Sequence, residues 1–381
     1  MSSERAYCLA WSQITGVGPV IVRRLLQSFG SLSVAWGADA GELKAISGVG
    51  DRLLSAISRA QKSVRPADLL AQHSQKNPQF WTYVDADYPR LLKEITDPPL
   101  VLYYRGNPTD AELSGLQPAI GIVGTRDPSD YGKRWTHRIA TSLARNGFTV
   151  VSGMAEGIDT QAHRSCLSTQ KRTFGVLGTG VDVVYPLRNR GLYEQICQHG
   201  CVVSEYPAGT QPSRAHFPRR NRIIAGLCRS IIVMEAPQKS GALITAYLAN
   251  DYGRDVYVLP GSLDNPRAMG CLGLLCRGAQ VILNEGHLLD MLGKIPQLDE
   301  TNPPATLAQL AIPLDISEPE TKLLKLIQNL CQKQGESSLS FDLLVQNSDQ
   351  PTGTLSSLLL QLELAGHVVQ LPGMRYALAK S

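Results

Sequence analysis

The 381-residue chain has no apolar run that approaches the length of a membrane span, so no helical span is expected. Its first residues, MSSERAYCLAWSQ, carry charges and no apolar core, so no secretory leader is expected and the reading is a cytoplasmic protein. The eight cysteines form no CxxC pair and no Cys/His ladder. Cys197 and Cys201 are spaced for one helical turn, but no second ligand pair accompanies them. Reduced thiols are expected, not a zinc module or a disulfide framework. There is no carboxylate cluster of the kind a metal-dependent nuclease needs. Low-complexity and collagen-like tracts are also missing. No metal and no cofactor is expected. The net charge of +4 is too small to identify a polyanionic partner.

The distribution of charge says more. Residues 1–75 carry 8 Lys/Arg against 5 Asp/Glu, residues 76–317 carry 24 against 22, and residues 318–381 carry 5 against 6. The C-terminal segment is therefore a poor candidate for the main polyanion surface.

Three segments and a linker are expected. Residues 1–75 read as helical: ITGVGPVIVRRLLQSFGS turns at Gly16-Val17-Gly18 and then shows an apolar stripe at Val22, Leu25, Leu26 and Phe29. AISGVGDRLLSAI repeats the unit around Gly48-Val49-Gly50. Helix–Gly-x-Gly–helix units resemble the helix-hairpin-helix module, whose turn amides meet a DNA phosphate; two tight turns inside a small bundle is the competing reading. Residues 296–318 are rich in Pro and polar residues and read as a linker. Residues 319–381 give two or three helices. A helix ending at Gly366, the strand HVVQL, a turn at Pro372-Gly373 and MRYAL then resemble a winged helix, read as an interaction or regulatory module in view of its charge.

Residues 80–295 alternate β-branched runs with helical stretches. Strands are expected at Ala119–Val123, Thr149–Ser152, Thr173–Leu177, Cys201–Ser204, Ser230–Met234 and Asp255–Leu259. Helices are expected near Gly132–Asn146, Thr160–Thr169, Gly191–Gln198, Arg219–Cys228 and Gly241–Tyr252. This rhythm is that of an α/β fold with a doubly wound parallel sheet. In such sheets ligands bind beyond the carboxyl ends of the strands.

Small residues recur at that edge: GTRDPSDYG after the first strand, SGMAEGID after the second, GTG after the third and EAPQKSG before a helix. Glycines admit close approach, and free amides at helix starts favour anions, so these loops read as a phosphate-binding ledge. Arg126 on the first loop can clamp phosphate at two points, or pair with a carboxylate. Ser129, Tyr131 and Lys133 follow it. Asp159 and His163 stand four apart; metal or acid–base roles compete with Asp159 as a helix N-cap and a structural His163. The most basic stretch is SRAHFPRRNRIIAGL, where Arg214, Arg219, Arg220 and Arg222 surround Phe217 without an acid. Repeated cations beside an aromatic platform suit a polynucleotide better than a mononucleotide; a solvated helix face with Phe217 in the core is the alternative.

GIVGTR…YG, VVSGMAEGID…AH, GVLGTGVDVVYP, SEYPAG, HFPRRNRIIAGL, VMEAPQKSGALITA and GRDVYVLPG occur in this order, and together they closely resemble the DNA-processing protein A family (DprA, also called Smf). The likeness is dense over roughly residues 80–285. It implies an extended Rossmann-like core between the N-terminal helical module and a C-terminal winged helix. It further implies binding of single-stranded DNA, a homodimer, and loading of the RecA recombinase during natural transformation, with no enzymatic activity. The strand would cross Arg126, Phe217, Arg220-Asn221-Arg222 and Lys239-Ser240-Gly241, with Arg188 where the family often carries a cation. The full expected contact set is Gly124, Thr125, Arg126, Ser129, Tyr131, Gly132, Lys133, Ser152, Gly153, Arg188, Phe217, Arg219, Arg220, Asn221, Arg222, Lys239, Ser240, Gly241 and Thr245. The apolar stretch Gly270–Ile282 would supply dimer contacts through Leu272 and Leu275, since a sheet edge must be covered or paired.

The rival reading is a nucleotide-cleaving enzyme of the lysine-decarboxylase-like phosphoribohydrolase type, which shares this core. Such enzymes carry a PGGxGTxxE loop. The corresponding SGALITAYL has no Glu three residues beyond Thr245. Glu235 is the nearest candidate base, without a nucleophile or paired acid near it in sequence.

Overall fold

The computed structural model describes residues 3–293, 318–334, 339–348, 350–364, 367–371 and 375–378. The described residues up to Gly293 form one compact unit and those from Glu318 form a second.

The first unit is organised around one mixed nine-stranded sheet. Its strands are β1 (Phe80–Thr82), β2 (Val101–Gly106), β3 (Ala119–Val123), β4 (Thr149–Ser152), β5 (Thr173–Val176), β6 (Cys201–Ser204), β7 (Ser230–Val233), β8 (Asp255–Val258) and β9 (Gln280–Val281). They lie in the order β1-β2-β6-β5-β4-β3-β7-β8-β9. The strands from β6 across to β9 pair in parallel. β1 and β2 pair antiparallel, and β2 joins β6 antiparallel. Those two strands are an addition to the parallel core expected from the sequence. β3, β4 and β7 read as near-continuous Val/Ile runs because both faces of the sheet are covered. Alternation splits their side chains. Val123, Val151, Ile231 and Val233 pack under helices His216–Leu227 and Gly241–Asp251. Ile120, Ile122, Val150 and Ile232 pack under helices Asp130–Arg145 and Ile158–Ser168. Each such side chain contributes about 1.5–3 kcal/mol on burial.

The chain enters the parallel core at β3, runs out through β4, β5 and β6, then returns beside β3 as β7 and runs the other way through β8 to β9. The strand order therefore reverses between β3 and β7, and loops diverge there to opposite faces, leaving a crevice at the carboxyl ends.

The N-terminal residues fold as six helices, from Glu4–Ser12 to Pro66–Lys76. The two Gly-Val-Gly turns precede helices Pro19–Phe29 and Asp51–Ser63, with Gly16 and Gly48 at φ +97° and +90°. Trp11 meets Trp36 edge-on with ring centroids 5.1 Å apart in the module's core. The module packs on the sheet unit: Arg23 donates to Ile95 O at 2.9 Å, and Ala208 N donates to Asn77 Oδ1 at 2.8 Å. It belongs to the same compact unit.

The second unit contains helices Glu318–Gln334, Phe341–Asn347 and Thr352–Leu364 and a three-stranded antiparallel sheet of β10 (Leu339–Ser340), β11 (Val368–Leu371) and β12 (Arg375–Leu378). Leu323, Ile327, Leu344, Leu359 and Val368 fill its core. Helices followed by a β11–β12 pair make a winged helix. The linker up to residue 317, the helix end at Gly366 and the Pro372-Gly373 turn lie outside the described residues.

Helix Met269–Leu275 precedes the short edge strand β9. Leu272 and Leu275, the two leucines expected at a dimer contact, are both half-buried, and Leu275 packs against the sheet core. None of the eight cysteines forms a disulfide. Cys197 lies in the last turn of helix Arg190–His199 and Cys201 starts β6, so no helical turn joins them.

Candidate nucleic-acid interface

A cavity of about 710 Å³ opens at the reversal between β3 and β7. Its wall combines Gly124, Thr125 and Arg126 after β3, Ala155 and Asp159 after β4, Tyr185 after β5, Arg214, Phe217, Arg220 and Asn221 around the start of helix His216–Leu227, and Lys239, Ser240, Gly241 and Thr245 after β7. Five separate segments thus converge because parallel strands end at the same edge.

Arg126 is exposed and lies over the face of Phe217, its guanidinium carbon 5.8 Å from the ring centroid. Tyr185 stands 5.5 Å from the same ring and is 43% exposed. Arg214 and Lys239 are exposed on the same wall. Among the described residues none of Arg126, Arg214 and Lys239 has a carboxylate partner. Ser240 caps helix Gly241–Asp251 by accepting from Ala242 N at 3.3 Å, and Asn221 donates to Gly241 O at 3.2 Å. Thr245 is nearly fully buried but reaches the cavity wall. The sequence did not place Tyr185 among the contacts, and it named Arg214 in the basic run without carrying it into the contact set. The only signal for Tyr185 was an aromatic before Pro in a loop beyond a strand.

Several expected contacts are occupied internally. Glu235, 2% exposed, accepts from Ser129 N at 2.8 Å and Ser129 Oγ at 2.6 Å. Ser129 Oγ in turn accepts from Gly132 N at 3.1 Å, capping helix Asp130–Arg145. Gly132 lies against the Glu235 carboxylate, where a Cβ would collide with it. Tyr131 donates to Pro260 O at 3.0 Å, and Lys133 pairs with Asp130 at 3.4 Å. Ser129, Tyr131, Gly132 and Lys133 therefore shape the first loop from behind and do not line the cavity.

Arg220, 5% exposed, points from its helix to the strand ends and donates to Gly153 O and Val176 O. Its guanidinium passes so close to Gly153 that no side chain fits there. Asp159 is the second residue of helix Ile158–Ser168 and not its cap. It accepts from Gly153 N at 3.2 Å and Ala155 N at 3.3 Å, which fixes the SGMAEG loop. Burial raises the Asp159 carboxyl and Arg220 opposes that; burial likewise lowers Arg220, to about 10, so it stays charged at neutral pH. His163 accepts or donates at 2.7 Å to Thr173 Oγ1 and is held neutral, burial lowering it to about 3. Ser152 is fully buried and donates to Ile122 O at 2.6 Å.

The basic run divides by helical geometry. Arg219 and Arg222 share one face and clamp Glu205, at 3.2 and 2.6 Å, while Arg220 faces inward. Arg222 is a structural counterion at 7% exposure, and neither Arg219 nor Arg222 lines the cavity. Burial raises the Glu205 carboxyl, against the pull of Arg222. Arg188 is exposed beside the cavity and pairs with Glu156 at 3.1 Å.

The family model for DNA recombination-mediator protein A matches residues 79–293, and that for the DprA winged helix domain matches residues 303–374. The chain is 47% identical to protein Smf of Synechocystis sp. over 98% of its own length and 99% of that protein's. The X-ray structure of DNA processing protein A from Streptococcus pneumoniae superposes with a TM-score of 0.64 at 35% identity, covering 76% of this chain and 98% of that one. A Helicobacter pylori DNA processing protein A structure, described by its single-stranded DNA binding mode, gives a TM-score of 0.50 at 32% identity over 56% and 95%. With the Rossmann-like core, the winged helix and the loops at the strand ends all matched in order, the chain belongs to the DNA recombination-mediator protein A (DprA/Smf) family.

Proposed function

We propose that the chain binds single-stranded DNA across this cavity and, as a cytoplasmic homodimer, delivers the strand to the RecA recombinase during natural transformation. The observation that carries the DNA reading is the meeting of unpaired Arg126, Arg214 and Lys239 with the Phe217–Tyr185 aromatic pair. Phosphates need repeated cations, and unstacked bases need a π-face. Single-stranded DNA is also what the H. pylori relative is described as binding. RecA, as the recombinase served, and the transformation setting rest on the family resemblance. The phosphoribohydrolase reading is disfavoured because Glu235, its candidate base, is bonded to Ser129 and lies off the cavity wall. Titrations at several salt concentrations should give tighter binding to a single-stranded oligonucleotide than to duplex or mononucleotide, with log K falling linearly in log salt. Equal affinity for a mononucleotide, or release of free base from it, would overturn the reading.

The homodimer reading rests on the half-buried Leu272 beside the short edge strand β9, with Leu283 65% exposed next to it. Leu272→Glu should yield a folded monomer by sedimentation, with weaker binding to oligonucleotides long enough to span two copies. An unchanged dimer would remove this contact. Leu275 is the poorer test because it packs against the core, where a charge would also disturb folding.

A further inference from the structure

Three cavities follow one another on the first unit. The candidate interface shares Pro218 and Ile244 with a shallower cavity of about 370 Å³. That cavity shares Pro19, Arg219 and Arg222 with a third, of about 510 Å³, between the helical module and the sheet. Val17 and Gly18 of the first Gly-Val-Gly turn and Lys76 line this third cavity. We infer that a single strand held at Phe217 continues over Arg219 to the first Gly-Val-Gly turn, making the third cavity a second nucleotide subsite. This rests on the single-strand reading of the main cavity.

The chemistry along the path fits a phosphate backbone. Arg219 meets Glu205 through its Nε at 3.2 Å; its side chain is 63% exposed, and among the described residues it makes no hydrogen bond. Its orientation is fixed at one end while its outer fork is open to a phosphate. The acids on the wall are countered by cations: Glu205 holds both Arg219 and Arg222 through one oxygen, its other oxygen being buried without a hydrogen-bond partner, and Asp97 meets Arg222 at 3.6 Å and the Tyr252 hydroxyl at 2.5 Å. Lys76 is exposed and has no carboxylate partner among the described residues. Helix Pro19–Phe29 begins without a side-chain cap, so its first-turn amides are open at the cavity mouth.

The second Gly-Val-Gly turn has the same sequence and a different fate. The helix after it starts with Asp51, which repels an anion and is paired to Lys44 at 2.8 Å. Arg24 closes that turn by donating to Ser47 O. The first turn lines the third cavity and, among the described residues, the second turn lines none of the three.

The test is fluorescence anisotropy on the full chain with oligo-dT of about 6 and about 20 nucleotides, bracketing one subsite and an extended path. Lys76→Ala combined with Arg219→Gln should weaken the longer oligonucleotide about tenfold, lower its salt slope by about 1.4, and leave the shorter one unchanged. Lys76→Ala alone, at an exposed position with no packing role, should give the same length-dependent loss in smaller measure, which separates it from misfolding. Arg52→Ala at the second turn should change neither. Arg126→Ala should weaken both lengths. If Arg126→Ala weakens both and the Lys76/Arg219 pair changes nothing, the strand leaves the main cavity elsewhere and only this inference fails. Equal weakening of both lengths by the pair also overturns it, by assigning Arg219 to the main cavity. If Arg126→Ala changes neither length, the single-strand reading fails and takes this path with it.

Discussion

Replacing Arg126 and Lys239 together by alanine is expected to flatten the salt dependence of single-strand binding, while replacing Phe217 is expected to lower affinity without flattening it. Both cations are exposed on the cavity wall and free of carboxylate partners among the described residues, so each is available for one phosphate. For single strands each such contact adds about 0.7 to the slope of log K against log salt, so the pair should remove about 1.4. Phe217 offers its ring to a base; losing that stack costs about 1–3 kcal/mol and releases no counterions. Arg126 lies over the same ring at 5.8 Å, so the two sites share a partner and Arg126→Ala with Phe217→Ala should fall short of additivity. Arg126→Lys should keep the slope and lose part of the affinity, because an ammonium replaces the two-point fork. Unchanged affinity and slope in all these variants would move DNA binding to another surface.

The fold was legible wherever hydrophobic period and chain direction agree. β3, β4 and β6 fall at the residues expected from their Val/Ile runs, and the helices between them are shifted by one to three residues. β1 and β2 escaped because FWT and VLYYRG carry no crossover helix and join the sheet antiparallel, a pairing that local pattern does not encode. At the site, the converging glycine-rich loops were readable from strand ends alone, but the direction of each arginine was not. Arg219, Arg220 and Arg222 look alike in sequence; a helix of 3.6 residues per turn sends the first and third to Glu205 and the second into the sheet. Ser129 and Tyr131 likewise looked like ligands for an anion, while their oxygens serve Glu235 and Pro260. Polar side chains at a loop satisfy backbone and buried acids first, and sequence does not show which ones remain free.

That division makes Arg220 the residue whose loss should cost most, through folding and not through contact with DNA. Arg220→Ala removes donors to Gly153 O and Val176 O and leaves Asp159, 6% exposed, without the opposing charge that offsets its burial. Leaving buried acceptors without their donor costs about 1–3 kcal/mol, and more where a charged group is involved. Arg220→Met keeps much of the stem's volume and loses the same bonds, so a similar loss is expected if charge and hydrogen bonding are responsible. Adding Asp159→Asn to Arg220→Met should restore part of it, because the stranded carboxylate is then neutral; urea midpoints of the two single variants and the double variant give that coupling directly. Asp159 also anchors the Gly153 and Ala155 amides, so the recovery should be incomplete. A folded Arg220→Ala protein with an unchanged urea midpoint and a reduced salt slope would reverse the assignment, making Arg220 a phosphate ligand that reaches the cavity from beneath Phe217.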